Sequence, residues 1–101
     1  MTIQSQYNAS SNTLTIMIRG RLDFKVRQEF REAYENTPTK PGSVIIDLQE
    51  TEFMDSSGLG MLLLLRDYLR ADQSMIRLRN AGDKLSKVLA VANFDKLFTV
   101  E

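Results

Sequence analysis

Asp55-Ser56-Ser57-Gly58-Leu59-Gly60 gathers a carboxylate, two hydroxyls and two glycines within six residues. The segment lies between a short apolar run at residues 43–48 and a longer one opening at Met61. A strand handing over to a helix is where α/β proteins place working groups. Three catalytic arrangements use such residues, and none fits. A nucleophile elbow needs glycine two positions before its serine, and Met54 stands two before Ser56. A phosphate loop needs lysine after its last glycine, and Met61 follows Gly60. A dinucleotide fingerprint needs a third glycine three residues on, where this chain has Leu63.

The chain contains no histidine and no cysteine. That removes the Ser-His-Asp triad, thiol catalysis, disulfides and the usual zinc ligands. No catalytic residue, metal site or cofactor is expected, because no base of suitable pKa faces the serines. Two readings of the segment remain. In the plainer one, Ser56 or Ser57 caps a helix, which contributes about 1 kcal/mol. In the other, a serine hydroxyl stands exposed at a helix start as the target of another enzyme. Gly58 and Gly60 fall in the first turns, where each costs about 1 kcal/mol relative to alanine. Such a cost points to close approach by another element or by a partner.

The following helix, expected over residues 57–70, has a second feature. At about 100° per residue, Met61, Leu62, Leu64, Leu65, Tyr68 and Leu69 form its inward face. Arg66, Asp67 and Arg70 mark the solvent face, and Leu59 and Leu63 project with them. These are either two stray exposed leucines or an apolar docking patch with a charged rim and Ser56 at its edge.

The rest of the chain must position that segment. Strands are expected at residues 3–7 and at 14–18, where Leu14, Ile16 and Ile18 alternate with Thr15 and Met17. Arg19-Gly20-Arg21-Leu22-Asp23 ends the second strand, and Asp23 caps a helix carrying Val26, Phe30, Ala33 and Tyr34. Pro38, Pro41 and Gly42 enforce a loop. Residues 43–48 read as a central strand buried on both faces. Residues 75–79 alternate as a further strand. Leu85, Val88, Leu89 and Ala92 line a last helix, ended by a left-handed Asn93. The order ββαβαβα, with a final short strand at residues 97–100, defines an α/β domain. Its mixed sheet has parallel central strands covered by helices.

One domain spanning residues 1–101 is expected from length, and a hydrophobic content of 43% suits a single packed core. Thirteen basic and thirteen acidic residues cancel, so composition indicates neither nucleic-acid binding nor a basic membrane footprint. The N-terminus carries no signal-peptide pattern, and the longest apolar run, Met61 to Leu65, is too short to span a bilayer. The expected location is the cytoplasm.

The element order, the Gly20-x-Leu22-Asp23 turn and the segment Phe53-Met54-Asp55-Ser56-Ser57-Gly58-Leu59-Gly60 together resemble the STAS domain. Within it they are most similar to the bacterial anti-sigma-factor antagonists. The likeness spans nearly the whole chain. It implies a non-catalytic binding protein whose partner is both an anti-sigma factor and a serine kinase, with a PP2C-type phosphatase reversing the modification. It implies Ser56 as phosphoacceptor, with Asp55, Ser57 and Gly58 beside it and Asp23 close by. The implied partner surface comprises Leu59, Gly60, Leu63, Arg66 and Asp67, with Arg21. The family usually carries an acidic residue where this chain has Arg21, which reverses a charge beside that surface. Many antagonists run on into a final helix beyond the position of Glu101. Two other outputs fit the same resemblance: the same switch controlling biofilm formation or secretion, and a constitutive subunit of a lipid or anion transport complex.

Overall fold

In the computed structural model, which describes residues 2–101, the chain forms seven strands and three α-helices. Met1, part of the single-domain expectation, lies outside the described residues. In chain order the elements are β1 (Ile3–Asn8), β2 (Thr13–Ile18), β3 (Gly20–Leu22), α1 (Arg27–Glu35), β4 (Ser43–Asp47), β5 (Thr51–Met54), α2 (Ser56–Leu69), β6 (Ile76–Arg79), α3 (Asp83–Val91) and β7 (Thr99–Val100).

Five strands make the main sheet, ordered β1-β2-β4-β6-β7. The hairpin β1-β2 is antiparallel and the other pairs are parallel. The period-two alternation of β2 sets its register. Leu14 and Ile16 lie beside Val44 and Ile46, which lie beside Ile76 and Leu78. All six are at most 1% exposed. Phe30 and Tyr34 of α1, Met61, Leu62, Leu65 and Leu69 of α2, and Leu85 and Leu89 of α3 close over this face in one core. Each fully buried side chain of this kind contributes about 1.5–3 kcal/mol.

The other face departs from expectation. Thr15, Ile45 and Arg77 are neighbours across β2, β4 and β6, and each keeps some or much of its surface exposed. The central strand is therefore buried on one face only. Its run of β-branched residues imitates a doubly covered strand, because Ile45 stands on the open side among polar neighbours.

Two strands were not expected. β3 and β5 pair in parallel as a separate two-stranded sheet. Gly20, at φ +80°, redirects the chain out of β2, a conformation side chains other than glycine rarely adopt. A turn at residues 47–50 does the same after β4, held by Gln49 N–H to Asp47 Oδ1 (3.0 Å) and Thr51 N–H to the Leu48 carbonyl (3.1 Å). β3 and β5 thus continue two adjacent parallel strands and remain adjacent. Three residues that include a glycine, and four with weak alternation, carry too little pattern to be read as strands.

The helices largely follow their periodicity. Asp23 accepts the Lys25 N–H at 3.0 Å and caps a 3-10 turn, Phe24–Val26, that feeds α1. Asn93 is left-handed at φ 60°. Leu64, expected inward, is instead 60% exposed, because it lies on the edge of the inward arc beside α1.

Candidate functional site

The register Leu22↔Met54 sets the ends of β3 and β5 side by side. The next residue of each strand is an aspartate, so Asp23 and Asp55 stand together at the carboxyl ends of two parallel strands. This is the edge at which α/β sheets place ligands and reacting groups.

Asp55 is the N-cap of α2, in extended conformation (φ −99°, ψ −173°). Its Oδ1 accepts the Gly58 N–H at 2.9 Å, and its carbonyl accepts the Leu59 N–H at 3.0 Å. The expectation that Ser56 or Ser57 caps the helix is corrected here. A carboxylate one residue earlier already occupies the N3 amide, so neither hydroxyl is needed. Ser56 is the first helical residue and exposed, Ser57 is partly buried, and among the described residues neither hydroxyl has a hydrogen-bond partner.

The two glycines differ. A Cβ on Gly58 would overlap the Leu22 carbonyl oxygen and come within 2.7 Å of Met54 Cγ. Gly58 therefore exists so that α2 can rest on the end of β3. Gly60 has no heavy atom within 4 Å of the corresponding point. Ser56, Gly60, Leu63 and Asp67 recur at helical spacing as an outward stripe. Leu63 is 37% exposed, whereas Leu59 is partly buried against the core.

Arg66 does not stand free on the solvent face as expected. It is partly buried, and its Nε–H donates to the Leu97 carbonyl at 3.2 Å. The helix carries it to the flank facing the C-terminal segment rather than to the middle of the outward face. Asp67 and Arg70 are exposed as expected.

Arg21 lies opposite Phe53 across the small sheet, and its guanidinium sits 4.2 Å above the Phe53 ring centroid. Its Nε is 3.4 Å from Asp23 Oδ2. With 62% of the arginine side chain exposed, such an ion pair is worth about 0–1 kcal/mol. It holds one cation beside the Asp23 carboxylate. The Arg21–Phe53 stack was missed because it depends on the β3–β5 register, which neither short strand announces.

The arrangement offers an exposed serine hydroxyl, one residue after the Asp55 carboxylate, at the positive end of a helix dipole. Among the described residues, no group of three or more His, Cys, Asp or Glu side chains is placed to hold a metal ion. No helix among them is long and apolar enough to cross a membrane.

Fold and site together define a small α/β domain that displays a helix-start serine from the ends of two paired strands. The chain belongs to the STAS-domain family: the family model described as "Mlab, STAS domain" matches residues 5–100. A STAS-domain containing protein of Pseudomonas aeruginosa strain UCBPP-PA14 is 42% identical over 100 residues, covering 99% of each chain. The anti-sigma-B factor antagonist of Listeria monocytogenes is 29% identical over 89 residues, covering 87% of this chain and 78% of that one. Among solved structures, the unphosphorylated anti-sigma factor antagonist SpoIIAA aligns with a TM-score of 0.72 at 23% identity, covering 96% of this chain and 86% of that one. The phosphorylated form of the Bacillus protein aligns at 0.66 and 22% identity, covering 98% and 90%. These structures share the fold.

Proposed function

We propose that this chain is a phosphorylation-switched binding module, not an enzyme. Its unphosphorylated form engages a partner that is both an anti-sigma factor and a serine kinase, and relieves that partner's inhibition of its target. The observation that carries this reading is the Ser56 hydroxyl, exposed and unused because Asp55 alone caps α2. In a constitutive assembly subunit Asp55 and Ser57 would serve as caps and Leu59 and Leu63 as a permanent interface, and Ser56 would carry no phosphate in cells. The Listeria relative, named an anti-sigma-B factor antagonist, supports the partner class. SpoIIAA, known in unphosphorylated and phosphorylated forms on the same fold, supports the switch.

In the proposed cycle the kinase transfers the γ-phosphoryl of ATP to Ser56 Oγ, which loses its proton, and ADP leaves. A PP2C-type phosphatase returns the phosphate to water. The phosphate adds about −1.5 to −2 charges. At a helix N-terminus an anion is tolerated, so the fold survives. A partner packed over Ser56, Gly60 and Leu63 would have to desolvate that charge beside Asp23 and Asp55. Coupling of this kind is typically about 1–3 kcal/mol, enough for a switch.

The test is incubation of the purified chain with ATP and a serine kinase of the anti-sigma type from the same genome, followed by phosphopeptide mapping. Phosphate on Ser56, lost in Ser56→Ala, is the expected result. Phosphate on Ser57, or equal modification of Ser56→Ala, overturns the assignment.

A further inference from the structure

The main sheet has two edges, and they are unlike. β7 forms one with only two residues, Thr99–Val100. β1 forms the other with six, Ile3–Asn8, paired to β2 residue for residue without a bulge. Proteins blunt an exposed edge by shortening it, by bulges, or with prolines and charges. β7 is short. β1 is long, carries no proline and no charged side chain, and exposes Gln4, Ser5 and Gln6. The Arg19 N–H donates to the Thr2 carbonyl at 2.7 Å, which makes Thr2 and Arg19 a hydrogen-bonded pair of the hairpin. Such pairs alternate along antiparallel strands. Gln4, Gln6 and Asn8 therefore turn their backbone groups toward β2, and Ile3, Ser5 and Tyr7 turn theirs outward. One outward donor is taken, the Ile3 N–H, by Glu29 Oε2 at 3.0 Å. A carboxylate of α1 thus stands where the carbonyl of a next strand would accept. The outward groups of Ser5 and Tyr7 have no strand to meet.

The side chains of Ser5 and Tyr7 share the helix-covered face with Leu14 and Ile16, their neighbours on β2. Between this edge and α1 runs a groove with Ser5, Tyr7 and Leu14 on one side and Glu29, Glu32 and Ala33 on the other. Glu29 and Glu32 are the charged residues of its lining. Among the described residues, the hydrogen bonds they accept come from neutral groups, the Ile3 N–H and the Gln28 side-chain amide at 3.2 Å. The helical cations Arg27 and Arg31 line the groove on the other flank of α1, toward α2, and Arg31 is paired with Glu35 at 3.8 Å. Lys25, one turn before Glu29, is exposed on the 3-10 turn and is not part of the lining. Arg19, at the far end of the hairpin pair, is engaged by Glu50 at 3.4 Å.

We propose that β1 accepts a further strand from a partner protein, an extended segment with lysine or arginine on the side turned to α1. Strand addition of this kind takes affinity from main-chain hydrogen bonds and specificity from alternate side chains. Here Ser5 and Tyr7 supply two donors and two acceptors, and alternate side chains of the added strand enter the groove to meet Glu29 and Glu32. A second copy of this chain fits the edge poorly. Two β1 strands paired across a two-fold axis would put both α1 helices on one face of the joined sheet, acidic flank toward acidic flank. Like charges facing across paired strands are destabilising. The Ile3 N–H would also have to leave Glu29. No residue of α2 lines the groove, so this surface is distinct from the Ser56 site and does not depend on the switch.

The experiment is amide NMR with hydrogen exchange on the full chain, titrated with two eight-residue peptides. One alternates threonine with lysine, and the other alternates threonine with glutamate. The lysine peptide should bind at least tenfold tighter than its glutamate twin. It should slow exchange of the Ser5 and Tyr7 amides at least tenfold and leave those of Gln4 and Gln6, already in the hairpin ladder, little changed. The same lysine peptide methylated on its backbone nitrogens keeps its charge and should lose binding. Glu29→Gln with Glu32→Gln, which keeps an acceptor for the Ile3 N–H, should erase the preference between the two peptides and leave the melting temperature nearly unmoved. Equal affinity of the wild-type chain for both peptides, no binding of either, or protection gained away from Ser5 and Tyr7 overturns the proposal. So does undiminished binding of the methylated peptide, or pairing of β1 with a second copy when no peptide is present.

Discussion

Gly58 and Gly60 stand two residues apart on α2 and look out on opposite surroundings. One is pressed against the Leu22 carbonyl and Met54, and the other opens onto empty space. The same division runs through the whole first turn. Asp55 and Gly58 attach the helix to β3 and β5, while Ser56 and Gly60 make no comparable contact. Residues that look alike in sequence, two glycines and a run of Asp-Ser-Ser, therefore split into a structural half and a displayed half. The inward half is fixed by packing and capping. The outward half costs helix stability and returns nothing to the fold, which is the pattern expected where a partner must approach closely.

Substitutions on the two sides should separate accordingly. The largest difference is between the glycines. Gly58→Ala must displace backbone, an overpacking that costs about 1–3 kcal/mol. Gly60→Ala should gain up to about 1 kcal/mol from helix propensity. Urea unfolding of both variants checks this, and equal effects would break the comparison. Next comes the cap. Asp55→Ala should lose about 1 kcal/mol, whereas Ser56→Ala should stay within about 0.5 kcal/mol of wild type. A loss in Ser56→Ala matching that in Asp55→Ala would make the serine a structural group.

Binding should show the reverse order. Leu63→Glu, on the outward stripe, should weaken the proposed complex with a kinase partner by at least tenfold in a calorimetric titration and leave the melting curve nearly unchanged. The smallest effect is a titration of the inward flank. Tyr34 packs 5.1 Å from Tyr68 of α2, and burial, followed by the nearby Glu35 charge, raises its pKa above the ordinary 10.0. The unfolded chain therefore loses this proton first as pH rises. The stabilisation is full below pH 10 and is lost as pH climbs through the raised folded value. Tyr34→Phe should flatten the alkaline limb of the stability curve. Modification at Ser56 should leave that limb unmoved if inward and outward faces are independent.

The sequence displayed the main sheet and the helices because their signals are periodic and local. The alternation of Leu14, Ile16 and Ile18 and the spacing of Leu85 and Leu89 each need only their own neighbours. The site was read unevenly. Asp23, Asp55 and Ser56 were recognisable by type and order, but which group caps α2 depended on a one-residue shift that composition cannot resolve. β3 and β5 were hidden, since short parallel strands gain their order from pairing across some thirty intervening residues. With them went the Arg21–Phe53 stack and the reason for Gly58. Arg66 and Leu64 were misplaced for a related cause. Both sit at the edges of the helical arc, where a neighbouring segment decides exposure.

The most direct test of the account is a paired measurement on chain carrying phosphoserine at position 56, installed during synthesis, against unmodified chain. The account predicts matching circular dichroism and melting temperature for the two, and affinity for the kinase partner reduced by at least tenfold in the phosphorylated form. Unfolding on phosphorylation, or undiminished affinity in a fully folded phosphoprotein, would contradict it.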